Sequence, residues 1–199
     1  YRLRSEKFGV SYLLSRALRG KTVVDIGANC GIFSYWMSSC VGREGHVLAF
    51  EPQPKLVAQL HALRQQFRLD QLQIAEFGLS TKDTELTLRR PKTHWAGASF
   101  ESPARDSSAC DFITARVTTL DGFLAKHPQP PIAFIKCDVE GHELSVFQGG
   151  ENILTRDRPE LLFECHQGGN PDCAVFHYLR SLDYDGFCFH GGGLAPVAD

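Results

Sequence analysis

The chain is short of the features that mark several large protein classes. No apolar run approaches the ~20 residues a membrane-spanning helix needs, so no membrane span is expected. There is no basic excess: the formal net charge is −2, which disfavours nucleic acid as a partner. The seven cysteines are an odd number and none stands in a C-x-x-C pair, so neither a zinc ribbon nor a thioredoxin-type motif is suggested. Cys137 and Cys165 lie inside apolar runs and read as small core residues. The cysteines therefore read as reduced thiols and the expected compartment is the cytoplasm. Internal repeats, low-complexity tracts and linkers are also missing, so residues 1–199 are expected to form one domain. A chain of that length can bury roughly 70% of its unfolded surface, enough to stand without disulfide or metal staples.

What the chain has in their place is alternation. Apolar residues at Phe8, Tyr12, Leu13, Leu14, Ala17 and Leu18 have helical spacing and predict an N-terminal helix within residues 1–20, stopped at Gly20. Thr22–Ile26 predicts a strand, Gly27–Gly31 a loop and Ile32–Cys40 a helix. Further strands are predicted over His46–Phe50, Leu72–Ala75, Glu85–Arg89, Ile113–Thr118, Ile132–Cys137 and Leu161–Cys165. Helices are predicted over Pro54–Phe67, from about Leu120, from Leu144 toward Leu154, and over Asp172–Leu182. Phe187–His190 and Leu194–Val197 fit a closing hairpin across Gly191-Gly192-Gly193. Residues 93–108 are polar and glycine-containing, the best candidate for a mobile substrate loop. Within it, Trp95 stands beside Ala96-Gly97 and would either close over a substrate or pack on the core. Strands alternating with helices, several strands apolar on both faces, argue an α/β fold: a mostly parallel sheet with helices on both faces. The closing hairpin must be antiparallel.

In such a sheet, ligands bind outside the carboxyl ends of the strands, where strand order reverses. The residues at those ends are Asp25, Glu51, Asp138 with Glu140, and Glu164 with His166, and nearly all are acidic. The loop after the first strand reads G-x-N-x-G rather than G-x-G-x-x-G. Asn29 tolerates a left-handed backbone, so the tight turn survives. Asp25 stands just before the loop, and a carboxylate beside a diphosphate at ~4 Å is repulsive by roughly 1–4 kcal/mol. Beside an ammonium or sulfonium group it is attractive, and S-adenosylmethionine carries both cations and no phosphate. Its ribose wants a carboxylate at the end of the second strand, where Glu51 lies. An NAD(P)-dependent oxidoreductase would share the ribose acid but not welcome Asp25; a non-catalytic cofactor-binding scaffold would keep both.

VVDIGANCG (Val23–Gly31), AFEP (Ala49–Pro52) and FIKCDVEGHE (Phe134–Glu143) together resemble the FkbM family of S-adenosylmethionine-dependent methyltransferases. LLFECH (Leu161–His166) and SLDYDGF (Ser181–Phe187) are similar too. The resemblance implies a class I methyltransferase, Rossmann-like sheet of seven strands, mostly parallel, with the antiparallel hairpin at its C-terminal end. It implies that Asp25, Gly27, Ala28, Asn29 and Gly31 line the methionine end of S-adenosylmethionine, that Glu51, followed by Pro52, meets the ribose, and that Phe77, Gly78 and Leu79 lie near the adenine. Asp138 would face the cofactor's amino group or the reacting centre. The expected reaction is O-methylation of a small molecule or sugar. Amino-group methylation of bases is disfavoured, because the Asn/Asp-Pro-Pro-aromatic motif that usually follows the fourth strand is replaced by Asp138-Val139-Glu140-Gly141.

Methyl transfer from a sulfonium is an in-line displacement dominated by positioning. A hydroxyl acceptor must still lose its proton, and a positioned base contributes ~10²–10⁴-fold. His166 is the first candidate because an imidazole titrates near neutral pH. His142 is second, with Glu140 and Glu164 behind it. Residues two apart on an extended chain face the same way, so Asp138 with Glu140, and Glu164 with His166, would converge. Such a set would also suit a divalent metal, but acid pairs equally cap helices and bind cofactor, so no metal is expected.

Overall fold

The computed structural model describes residues 6–93, 97–101, 109–165, 174–190 and 193–197. Helix α1 (Lys7–Leu14) precedes strand β1 (Thr22–Ile26), helix α2 (Ile32–Val41), strand β2 (His46–Phe50), helix α3 (Pro54–Phe67) and strand β3 (Leu72–Ala75). Then come three strands, β4 (Gly78–Leu79), β5 (Thr84–Pro91) and β6 (Cys110–Thr118), and helix α4 (Leu120–Lys126). Strand β7 (Ile132–Cys137) is followed by helices α5 (Glu143–Gln148) and α6 (Glu151–Asp157), strand β8 (Glu160–Phe163), helix α7 (Ala174–Ser181), and strands β9 (Phe187–His190) and β10 (Gly193–Pro196). None of the described helices is long and apolar enough to cross a membrane.

The central sheet has five strands in the order β3-β2-β1-β7-β8, and every pairing in it is parallel. Successive residues on its strands face opposite sides, and both sides are covered. Val23, Val47 and Phe134 pack with Leu13, Met37 and Leu60 of α1, α2 and α3. Val24, Leu48 and Ile135 pack with Leu120, Val146, Leu154 and Phe176 of α4 to α7. Each such large side chain buried stabilises the fold by about 1.5–3 kcal/mol. Cys137 belongs to this interior, and burial, foremost, pushes its thiol well above the usual range.

The fold class is the one expected, with four local differences. The C-terminal hairpin β9-β10 is antiparallel, but its ladder is separate from that of the five parallel strands. It is tied instead to α1, through ring contacts of Phe189 with Phe8 and Tyr12. A second sheet, β4-β6-β5, was only half legible as two isolated strands; β5 and β6 pair antiparallel over their full length. Helix α1 stops at Leu14 rather than running to Gly20, because the Ser15 hydroxyl donates to the Tyr12 carbonyl at 2.7 Å and the chain turns to bury Leu18.

The helix expected from Leu144 to Leu154 is broken at Gly149-Gly150. A Cβ on Gly149 would stand 2.0 Å from the Ser80 carbonyl oxygen, so only glycine allows this approach. The Gly149 carbonyl accepts from the Asp121 amide instead of continuing the helix. The Asp121 carboxylate then accepts from the amides of Asn152 and Ile153, both at 3.0 Å, and starts α6.

Candidate active site

Strand order reverses between β1 and β7, and the crevice at their carboxyl ends is where an open α/β sheet binds ligands. Gly27, Asn29 and Gly31 all have positive φ, at 72°, 52° and 88°. The glycines are required sterically. A Cβ on Gly27 would lie 2.0 Å from the Asp138 carbonyl oxygen, and one on Gly31 would lie 2.8 Å from both Leu60 and Leu63. Asn29 holds its own left-handed turn, its side-chain oxygen accepting from the Cys30 amide at 2.8 Å. The loop is pinned to the end of β2 by the amides of Gly27 and Ala28 on the Phe50 carbonyl. Glu51 completes this seam: its carboxylate accepts from the Asn29 amide at 2.9 Å and the Gln53 amide at 3.0 Å. Burial raises the Glu51 carboxyl above its ordinary range, and those two amide donors work against the rise.

Beneath the loop lies a buried charge cluster. Asp25 is fully buried; one oxygen accepts from the Ser34 hydroxyl at 2.6 Å and the other stands 3.4 Å from the Lys136 ammonium. Lys136 also lies 3.6 Å from Asp138 and donates to the Gly27 carbonyl at 3.0 Å. Burial favours a neutral lysine, but Asp25 and then Asp138 outweigh it, and the net shift of Lys136 is upward.

Two cavities meet at Asp138 and Glu140. The first is a cleft of about 50 Å³ lined on one side by Gly27, Asn29, Glu51 and Pro52 and on the other by Leu88, Gly97 and Phe100. Ligand-sized pockets run from ~300 Å³ upward, and with the Gly97–Glu101 segment in this position the cleft is smaller than that. That segment is held by a Ser99–Arg89 bridge, by the Ser99 hydroxyl on the Glu140 carbonyl at 2.6 Å, and by Glu101 on His142. The second cavity, about 590 Å³, is lined by Phe8, Phe33, Leu162 and Phe189 along with Lys136, Asp138, Glu140 and Glu164.

Several expected site residues line the two cavities. Gly27, Asn29, Glu51, Pro52, Gly78, Leu79, Asp138 and Glu140 line the first cavity, and Glu164 lines the second. Asp25, Ala28, Gly31 and Phe77 line neither; Phe77 packs its ring against Phe50 and Phe123 in the core. Asp25 therefore acts from below the loop, and the first cation it meets is Lys136, not a ligand. Asp138 and Glu140 do converge, but not by strand alternation: β7 ends at Cys137 and Glu140 is left-handed, at φ 55°. The turn is organised by Glu143, whose buried carboxylate accepts from the amides of Val139 and Gly141.

His142 does not stand free for proton transfer. Its Nδ1 is 2.6 Å from Glu101 and its Nε2 is 2.9 Å from the Ser80 hydroxyl, all beneath Phe100. It braces the turn and lines neither cavity. His166 and Trp95 lie outside the described residues. Among the described residues, no group of three or more His, Cys, Asp or Glu side chains could hold a metal ion. Sequence reasoning missed Lys136, Glu143, Ser34 and Ser80; the one available signal was a lysine inside the otherwise apolar run FIKC.

Residues 25–187 match the family profile described as the methyltransferase FkbM domain. The chain belongs to the FkbM methyltransferase family. This FkbM chain is 25% identical over 169 residues to the hexuronic acid methyltransferase AglP of Haloferax volcanii, covering 85% of the chain and 66% of that relative. Among solved structures it is similar to methyltransferase FkbM from Methylobacillus flagellatus, with a TM-score of 0.62 and 17% identity over 86% of the chain and 40% of that protein. A Streptococcus mutans methyltransferase-fold protein solved with SAH gives a TM-score of 0.55 at 12% identity, covering 96% of the FkbM chain and 91% of that protein. At these identities the structural likenesses bear on the fold. The FkbM chain thus spans just under two thirds of the Haloferax volcanii relative and 40% of the Methylobacillus flagellatus protein.

Proposed function

We propose that this chain is an S-adenosylmethionine-dependent O-methyltransferase acting on a hydroxyl of a sugar or other small molecule. The observation that carries the cofactor reading is the Glu51 seam. A buried carboxylate at the end of β2 lines the cleft while binding the glycine loop, with lone pairs left for two ribose hydroxyls. Gly27 supports the same reading only indirectly: its missing side chain lets the glycine loop close against the Asp138 carbonyl beside the cleft. The hexuronic acid relative supports a sugar acceptor.

In this reading Gly27, Asn29 and Glu51 hold S-adenosylmethionine, Pro52, Gly78 and Leu79 flank its nucleoside, and Asp25 acts through Lys136. When bound, the cofactor supplies an electrophilic methyl group. The second cavity takes the acceptor, with Phe8, Phe33 and Phe189 against its carbon face and Asp138, Glu140 and Glu164 orienting its hydroxyls. His166, two residues beyond Glu164, is the assigned base and takes the hydroxyl proton; Glu140 is the alternative carboxylate. His142 is withdrawn from that role because both its ring nitrogens are engaged.

The test is thermal unfolding with S-adenosylmethionine, S-adenosylhomocysteine, NAD and NADP. A ligand at 100 times its Kd stabilises by about 2.7 kcal/mol, a shift of roughly 5–10 °C for a chain of this size. A shift with the two adenosyl ligands alone is expected. A shift with NAD or NADP alone would overturn the reading in favour of an oxidoreductase, and adenosyl binding without transfer to any acceptor in a broad panel would favour a scaffold. His166→Ala is expected to lower turnover while leaving S-adenosylhomocysteine affinity nearly intact.

A further inference from the structure

The charge cluster beneath the loop is built around one cation, Lys136. Lys136 is the penultimate residue of β7, between Ile135 and Cys137, in a run whose other residues are apolar. Its side chain is 6% exposed. An ammonium there is costly unless it is paired and hydrogen-bonded, and a leucine or isoleucine would satisfy the packing of an interior strand more simply.

The register explains what it reaches. Asp25 and Lys136 are direct partners in the parallel β1–β7 pairing. Lys136 is two residues from Phe134 and Asp25 two from Val23, so both leave the sheet on the side of α1 to α3, where Phe33 also packs. The ammonium lies 5.3 Å over the Phe33 ring. From there it spans four oxygens: Asp25 at 3.4 Å, Asp138 at 3.6 Å, and the carbonyls of Gly27 at 3.0 Å and Ile26 at 3.5 Å. Two of the four belong to the start of the glycine loop, and one belongs to the turn after β7. One cation thus ties the two sides of the crevice together at its floor.

Asp138 is where this bears on the site. It lines both cavities, and its Oδ1 is buried with no hydrogen-bond partner among the described residues. Its other oxygen faces Lys136. A carboxylate held at one oxygen is oriented before anything binds, the condition under which it discriminates a ligand by geometry. Without Lys136, Asp25 and Asp138 would be two carboxylates with no cation between them, and each would lose the partner that orients it.

We infer that Lys136 is a positioning residue of the cofactor site: its ammonium holds the Asp25 and Asp138 carboxylates and the Gly27 carbonyl in one arrangement, so that Asp138 stands oriented at the junction of the two cavities. It touches no reacting atom. The inference rests on the reading that the crevice binds S-adenosylmethionine, and wild-type binding separates the two: if the wild-type chain does not bind S-adenosylhomocysteine, it is that reading which fails.

The test is calorimetric titration of S-adenosylhomocysteine into the wild-type chain, Lys136→Met and Lys136→Arg. Lys136→Met is expected to bind at least ten-fold more weakly, and Lys136→Arg, which keeps a cation beside the two carboxylates, is expected to recover part of that loss. A residue that merely filled space would be replaced as well by methionine as by arginine. Equal affinity of Lys136→Met and the wild type, or no tighter binding by Lys136→Arg than by Lys136→Met, would overturn the inference. Should Lys136→Met fail to fold, Asp25→Asn is compared with Asp25→Asn/Lys136→Met, in which the buried charge is removed from both sides. The double variant is expected to bind more weakly than Asp25→Asn alone, and equal affinity of the two would overturn the inference.

Discussion

The two halves of the crevice are built in opposite ways. The half proposed for the cofactor is built on backbone: a loop of two glycines and an asparagine, pinned by amide hydrogen bonds to Phe50 and Glu51 and wedged against the Asp138 carbonyl. The half proposed for the acceptor is made largely of side chains from α1, α2, β7 and the turn after it, β8 and the hairpin. The first has no slack, since a single added carbon has nowhere to go. The second is wide, and two of its rings, Phe8 and Phe189, are 49% and 41% exposed. A site that must hold one invariant ligand can be cut into backbone, whereas one that selects an acceptor needs surfaces that change by substitution.

If that contrast is right, the largest loss belongs to Gly27→Ala. The added Cβ meets backbone at 2.0 Å in a left-handed conformation, and about 3 kcal/mol or more of stability should go, together with S-adenosylhomocysteine binding. Chemical denaturation reads it, and a loss under 1 kcal/mol would mean the loop has room after all.

Next in size is Glu51→Gln. An amide cannot accept from both the Asn29 and Gln53 amides, and losing one charge-assisted bond of ~1.5–3 kcal/mol should weaken S-adenosylhomocysteine binding about 10–100-fold. This residue also sets a pH dependence. Its carboxyl is raised from 4.5, so its contribution is fully present below that value and is lost as pH rises through the folded-state value. Melting curves of the unliganded chain should show stability declining upward from pH 4.5 through that window, with the decline flattened in Glu51→Gln. Parallel curves would remove Glu51 as its source.

Ser99→Ala sharpens the comparison at the boundary between the halves. It cuts the tie from the Gly97–Glu101 segment to Glu140 and should cost about 1 kcal/mol of stability. On the proposed reading a nucleoside enters only once that segment withdraws, so stopped-flow association of S-adenosylhomocysteine should be faster, and a slower or equal rate would count against it as the barrier. Smallest of all is Phe189→Ala. Loss of its contacts with Phe8 and Tyr12 should cost about 0.5–1.5 kcal/mol with S-adenosylhomocysteine affinity unchanged, while the KM for the acceptor rises. A fall in cofactor affinity would show the halves to be less separate than their construction suggests.

Most of the fold was legible because it is written at short range. β-branched runs, helical spacing, the Pro54 start of α3 and the positive-φ tolerance of Gly27, Asn29 and Gly31 act over a few residues. Glu51 and Asp138 were legible for the same reason, since the end of a strand in a parallel sheet is a position that a local pattern can find. Lys136 was not, because its meaning comes from a register that sets it opposite Asp25, 111 positions earlier. Nor was the engagement of His142, which depends on Ser80 and Glu101 arriving from the second sheet and the segment beside it. The break at Gly149 was illegible until Ser80 was seen against it.

By itself, then, the sequence determined the strand–helix alternation, the glycine loop and the acids at the strand ends, since backbone sterics and side-chain periodicity are properties of neighbours along the chain. Only the tertiary structure decided which charges meet beneath the loop, which histidine is engaged and where an acceptor finds room. Those outcomes are set by contacts between distant segments, and whether a buried charge is tolerated depends on what the rest of the fold brings within a few ångströms of it.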